Sequence, residues 1–294
     1  MNKKSYILLQ GGLGNQMFQY AFYLAQKQKN PKVKCDSSIV KIKNEHNGYE
    51  LYNVFKIKTE ASALTYVFTK ILNRLKSNKN ITRLISIFLK ITLIKDSIPS
   101  EYKPEILVTK TRNYYLGYWQ SEKYFKNISE TIRTAFTFDV TKLSQESRQT
   151  AQEIQNTNSI SIHIRRGDYL LDKYQKLYGG ICTLDYYTKA INHMLKNFPD
   201  CKFFIFSDDI KWVEENLCNL IHNKTFIDFN KGKNSWQDMY LMSICKHNII
   251  ANSSFSWWAA WLNLNKNKIV ISPNKFLNIG DSKDLIPEDW IKIK

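Results

Sequence analysis

The segment SISIHIRRGDY, residues 159–169, sets two arginines side by side between an alternating apolar run and a Gly-Asp turn. The chain carries 43 Lys plus Arg, yet arginine occurs only at positions 74, 83, 112, 133, 148, 165 and 166. Lysine would serve where charge alone is needed. A guanidinium offers a planar fork of donors that fits a phosphate with two parallel bonds. Arg165 and Arg166 at a strand end therefore point to anion recognition by geometry, with an ion pair from Arg165 to Asp168 as the purely structural alternative. His163 lies in register with Arg165 and is either a satisfied core histidine or a second donor to the same anion.

A second group of this kind is NSSFSWW, where Ser253, Ser254 and Ser256 surround Phe255 at the start of a helix that follows a buried strand. A helix start presents free N–H groups and the positive end of the dipole, so hydroxyls there suit a phosphate. One serine could equally be an N-cap, though a cap needs only one. Ser207, Asp208 and Asp209 form a strand-to-helix joint, where acids are common in a first helical turn and carboxylates also accept from ribose hydroxyls or base N–H groups. Asp238 follows Ser235 at capping-box spacing and could instead reach a guanine edge. GGLGNQ, at 11–16, is a glycine turn that lacks the third glycine of a dinucleotide fingerprint. With Asp36 at the end of the next strand, it supports an NAD-dependent oxidoreductase as a competing reading.

The elements that must position these residues follow from periodicity. SYILLQ, GGLGN, QMFQYAFYLAQKQK and KVKCD read as strand, turn, helix and strand, a βαβ unit. NYYLGYW is strand-like, with helical segments at about 121–135 and 141–156. From Ser159 the rhythm is regular, with strands SISIHIRR, KFFIF, TFIDF, HNIIA and KIVIS separated by four helices. The first helix, TLDYYTKAINHMLKNF, places Leu184, Tyr187, Ile191, Met194, Leu195 and Phe198 on its inner face. Such alternation means a parallel sheet covered on both faces, with ligands at the C-terminal strand ends. The candidate residues stand just after those strands. The halves are expected to be domains, 1–157 and 158–294, with the last residues free to pack back on the first.

Composition narrows the function classes. With 294 residues, 43% of them hydrophobic, the chain has ample core for two domains and is not disordered. The five cysteines are scattered without a CxxC pair, as expected of reduced thiols rather than a zinc site or disulfide frame. No secretory signal or run of about 18 apolar residues is read. The net charge of +17 admits nucleic acid, an anionic membrane or a lysine-rich exterior that attracts phosphorylated substrates. Spread lysines without a zinc-finger or RNP pattern speak against nucleic acid. Residues 64–95, LTYVFTKILNRL and then ITRLISIFLKITLIK, read as basic amphipathic helices, either core helices or elements that lie on a membrane surface.

Together, HIRRGDY, GGLGNQMFQYAF and NSSFSWWAAWL resemble the bacterial α-1,2-fucosyltransferases (glycosyltransferase family 11), in order along nearly the whole chain. The resemblance implies an α/β fold of GT-B type, two Rossmann-like domains facing across a cleft, with GDP-fucose in the C-terminal one. It implies that Arg165 binds the β-phosphate and His163 helps at the nucleotide, with Ser253 and Ser254 cradling phosphate beside Phe255 and Ser256. Asp208, next to Ser207, and Asp238 would recognise ribose or guanine. Gly12, Gly14, Asn15 and Gln16 would face the fucose and acceptor, Arg166 would support the site from behind, and Asp168 is the nearest carboxylate for a base. The implied reaction is transfer of L-fucose with inversion to the 2-hydroxyl of a galactose-containing glycan or lipid-linked oligosaccharide. No cofactor or metal is expected, and O-antigen synthesis in the cytoplasm, peripheral to the inner membrane face, is the expected setting.

Overall fold

The computed structural model describes residues 4–44, 46–62, 65–67, 70–71, 91–96, 100–107 and 112–294. The chain divides into two compact units, Met1–Thr137 and Phe138–Lys294. The division falls before the expected 157/158 boundary because the helix Gln145–Gln155 packs on the second unit's helix Trp236–Ile244. The Ser144 N–H, at the cap of the first of these helices, donates to Gln237 Oε1 on the second over 2.7 Å.

In the first unit the described strands β1 (Ser5–Leu8), β2 (Val33–Asp36), β3 (Ile91–Lys95) and β4 (Arg112–Leu116) form a sheet of order β2-β1-β4-β3, all pairs parallel. The expected βαβ unit is present, with helix Leu13–Lys29 between β1 and β2. Leu13, Met17, Phe18, Ala21, Phe22 and Ala25 are buried at three- and four-residue spacing, the stripe a helix lays on a sheet. One expectation is corrected. ITLIK, taken above as the end of a basic helix, is strand β3, because its β-branched residues find the free edge of β4. Residues 65–67 and 70–71 are helical, and the remainder of the proposed membrane helices, 72–90 in particular, lies outside the described residues. Among the described residues no helix is long and apolar enough to cross a membrane.

The second unit holds β5 (Ser159–Ile164), β6 (Lys202–Ser207), β7 (Lys224–Ile227), β8 (His247–Ile249), β9 (Val270–Pro273) and β10 (Ile291–Ile293). They form one parallel sheet of order β10-β9-β8-β5-β6-β7. Read from β7, the strands come third, second, first, fourth, fifth and sixth, which is the Rossmann arrangement. The last residues thus form the edge strand of their own unit's sheet. Ile160, Ile162 and Ile164 on β5 are fully buried against Tyr187, Ile191 and Met194 of helix Leu184–Asn197, each such apolar side chain stabilising the fold by about 1.5–3 kcal/mol. Leu184, expected on that inner face, is 41% exposed because it sits in the first helical turn. On helix Ser254–Leu262, Trp257, Trp258 and Trp261 are all buried. A helix apolar on every side is a core helix, and its N-terminus is thereby fixed rigidly after β8.

Candidate functional site

In a Rossmann sheet the ligand crevice opens where the strand order reverses, here between the C-terminal ends of β5 and β8. Arg165 and Arg166 follow β5 directly, and Asn252 to Ser256 follow β8. Two contacts show that the loops meet. The His163 and Phe255 rings lie 6.0 Å apart, and the Tyr169 hydroxyl donates to the Asn252 carbonyl over 3.2 Å.

The two arginines are held differently. Arg165 places one terminal nitrogen 2.9 Å from Asp168 Oδ1 and the other 3.1 Å from Asp208 Oδ2, and its side chain remains one-third exposed. The structural ion pair admitted above is therefore present. Both terminal nitrogens of the guanidinium face carboxylates. Arg166 lies 4.2 Å above the Trp212 ring and donates from Nε to Asp209 Oδ2 over 3.0 Å, which fixes it as a support. Its backbone N–H donates to Asp208 Oδ1 over 2.9 Å, so Asp208 grips both arginines. Gly167 permits this approach, since a Cβ there would stand 3.0 Å from Asp208 Oδ2. Asp209 also caps helix Ile210–Leu217 by accepting from the Trp212 N–H, and Ser207 Oγ accepts from the Asp209 N–H.

His163 is buried and its Nδ1 has no partner. Burial, and then the Arg165 charge, pull the imidazole down to about 3, so it is neutral at working pH and offers a hydrogen bond rather than a charge. Ser253 is the N-cap of helix Ser254–Leu262, its Oγ accepting from the Phe255 N–H. Ser256 is fully buried and turns its hydroxyl back to the Ala251 and Ser253 carbonyls. Of the three serines, Ser254 is the half-exposed one in the open first turn.

Asp238 belongs to a different cluster. It is nearly buried in the first turn of helix Trp236–Ile244, and Asn230 Nδ2 donates to its Oδ1 over 2.8 Å and to Ser147 Oγ over 3.1 Å. Burial pushes this carboxyl up to about 7, against the Asn230 hydrogen bond and with the Asp228 charge adding to the rise.

In the first unit, Gly11 takes a left-handed φ of +76° to turn β1 into its helix, and Gly12 is an N-cap without a side chain. Gly14 is buried, and Asn15 Oδ1 accepts from Gln120 Nε2 over 2.8 Å. Gln16 is fully buried, donating to the Gly11 and Gly48 carbonyls and accepting from the Glu50 and Leu51 N–H groups. It ties the 48–51 segment to the glycine turn, and of the pair only Asn15 is half-exposed. We expect Gln16→Ala to lower the unfolding free energy by about 2–4 kcal/mol, because it strands buried backbone groups on both sides. Chemical denaturation measures this, and a loss below about 1 kcal/mol would contradict the assignment. Asp36 is fully buried and accepts from the Ser38 N–H over 2.8 Å, so it closes a turn rather than facing a ribose.

Sequence reasoning passed over Tyr169 and Ser147, while Asn230 stands just after a strand, where candidate residues are expected. Tyr169 carried a signal, since it directly follows the Gly-Asp turn. Ser147 carried none, because 83 residues separate it from Asn230.

Two parallel α/β units in tandem, the second with its polar groups gathered at the switch point, follow the plan of GT-B enzymes that act on nucleotide sugars. The chain belongs to Glycosyl transferase family 11, whose model matches residues 4–294. It is 35% identical over 291 residues to an alpha-1,2-colitosyltransferase of Escherichia coli, covering 97% of each protein. To the O-antigen biosynthesis glycosyltransferase WbnK of Escherichia coli it is 31% identical over 307 residues, 98% of this chain and 100% of that one. It is 24% identical over 192 residues to the Homo sapiens galactoside alpha-(1,2)-fucosyltransferase 1, 60% of this chain and 51% of that one. Family membership makes the chain a glycosyltransferase and sets aside the oxidoreductase reading.

Proposed function

We propose that the chain transfers L-fucose from GDP-β-L-fucose to the 2-hydroxyl of a galactose in a surface glycan, with inversion and without a metal ion. The observation that carries this reading is the convergence, at one switch point, of a one-third exposed guanidinium held by two carboxylates, a neutral buried imidazole and an open helix N-terminus. As the glycosidic bond breaks, electrons pass to the β-phosphate oxygen and the nucleotide gains negative charge. Donors already aimed at that oxygen bind the transition state more tightly than the donor sugar, and this lowers the barrier. Arg165 and the first turn at Ser254 are assigned that role. Asp168 is committed to Arg165, so in this reading leaving-group stabilisation rather than a strong base drives the step, and Asp168 at most receives the acceptor proton late.

The colitosyltransferase relative favours a second reading, in which the donor sugar is colitose, which lacks the 3-hydroxyl of fucose. Both are tested together by incubating the protein with GDP-fucose or GDP-colitose and galactose-terminated oligosaccharides in EDTA, with the linkage read by NMR. The expected product is α-fucose on the galactose 2-oxygen. Transfer from GDP-colitose alone would replace the first reading by the second. Activity lost in EDTA and restored by Mn²⁺ would overturn the metal-free assignment.

A further inference from the structure

The segment that follows Arg165 lies at the surface, its end tied to Asn278, whose N–H donates to the Leu177 carbonyl over 2.9 Å. The turn Asp168–Leu170 and the helix Asp172–Tyr178 contain no buried residue, and Leu170 and Leu171 are each 51% exposed. Tyr169 is the exception in what it touches. Its hydroxyl donates to the Asn252 carbonyl over 3.2 Å, its ring stacks on Tyr178 at 4.8 Å and 14°, and the Arg165 guanidinium lies 5.9 Å from its ring centre. Asn252 Nδ2 in turn donates to the Tyr178 carbonyl over 3.1 Å and to the Phe276 carbonyl over 3.2 Å, and Cys182 Sγ donates to its Oδ1. These bonds close a ring from Tyr169 through Tyr178 to Asn252 and back. Asn252 directly precedes Ser253, the cap of the Trp-rich helix. Although the residue as a whole is half-exposed, desolvation of its hydroxyl end raises the Tyr169 phenol above its usual range, so it keeps its proton and remains a donor.

We infer that Tyr169 is a positioning residue that fixes the span between the Arg165 fork and the N–H groups of the helix beginning at Ser254, the two sides of the phosphate site. The chemistry requires such a part. Two donor groups on separate strand ends stabilise one departing phosphate only when their separation is held, and misplacement on the order of 1 Å costs about 10²-fold. The side-chain contacts described for the exposed 167–178 segment place the tie to the β8 loop at Tyr169 and Tyr178. The inference rests on the reading that this site holds the terminal phosphate of the nucleotide.

The test compares GDP with GMP, which lacks that phosphate. Calorimetric dissociation constants are measured for wild type, Tyr169→Phe and Tyr169→Ala, each first shown to be folded by circular dichroism and thermal melting. Tyr169→Phe keeps the ring and removes one hydrogen bond, so GDP binding is expected to weaken about tenfold while GMP binding holds within about twofold. Tyr169→Ala is expected to weaken GDP further, with GMP again little changed. A Phe variant that binds GDP like wild type would overturn the inference. Equal losses for GDP and GMP would also overturn it, since a general loosening of the unit does not single out one phosphate. If wild-type protein binds GDP no more tightly than GMP, the phosphate reading itself fails, and that result is separate from any effect at Tyr169.

Discussion

Arg165→Ala is expected to reduce kcat with GDP-fucose by about 10²-fold or more, the range found when a donor to a developing oxyanion is removed. The argument starts from the ion pairs. In the free protein Arg165 is held by Asp168 and Asp208, each 3.1 Å or less from a terminal nitrogen, so its place at the end of β5 is fixed before the donor arrives. The alanine variant removes that fork, leaving Asp168 without its ion pair and Asp208 with only the Arg166 N–H, at a place where charge becomes more negative during reaction. Arg165→Lys separates the two contributions. It keeps a positive charge near Asp208 but supplies a point donor rather than a planar one, so an intermediate loss of kcat is expected. Steady-state kinetics on variants whose melting curves match wild type decide the matter. Near-wild-type turnover in folded Arg165→Ala would remove the leaving-group mechanism.

A second large effect is expected at Asp238. Burial raises its carboxyl to about 7, so the folded protein holds this proton well above the usual carboxylate range. If Asp238 accepts hydrogen bonds from the guanine edge, as the family resemblance implies, it must be ionised to do so. GDP affinity should then be roughly constant above pH 7 and fall by up to about tenfold for each unit below it. The stability of the free protein should run the other way. A carboxyl whose folded pKa is raised contributes stability that is full below its unfolded pKa and is lost as pH rises through about 7. Asp238→Asn should therefore bind GDP weakly at every pH, discriminate poorly between GDP and IDP, and gain more thermal stability at pH 8 than at pH 5. Titrations at pH 5.5, 7 and 8.5 measure both trends. A wild-type GDP affinity flat over that range would exclude the guanine role.

Much of this arrangement was legible in the sequence, and the parts that were not share a cause. The alternating Ile160, Ile162 and Ile164, the glycine turn after Leu8 and the serines before Trp257 mark their elements by local pattern, and that pattern puts the arginines directly after β5, where they stand. The grip of Asp208 and Asp209 on the two arginines was not readable, because it joins positions 42 and 43 residues apart through the parallel register of β5 and β6. The same holds for Gln16, whose partners at 48, 50 and 51 are brought in by a segment without strong periodicity. Strand β10 is three residues long with a central lysine, a pattern that becomes a strand only when the edge of β9 is available to pair with it. The helix Gln145–Gln155 was foreseen, but its allegiance to the second unit was not, since packing partners rather than helical propensity decide where a boundary falls.

The cluster at the end of β5 contains two guanidiniums, Arg165 and Arg166, and three carboxylates, Asp168, Asp208 and Asp209. On the proposed reading this imbalance governs how the enzyme is emptied. A nucleotide diphosphate stripped of its sugar carries more negative charge than the compound that arrived, and the surplus carboxylate pushes against that increment. The spent nucleotide is consequently retained less firmly than arginines alone would retain it, and the vacated protein is returned for another cycle.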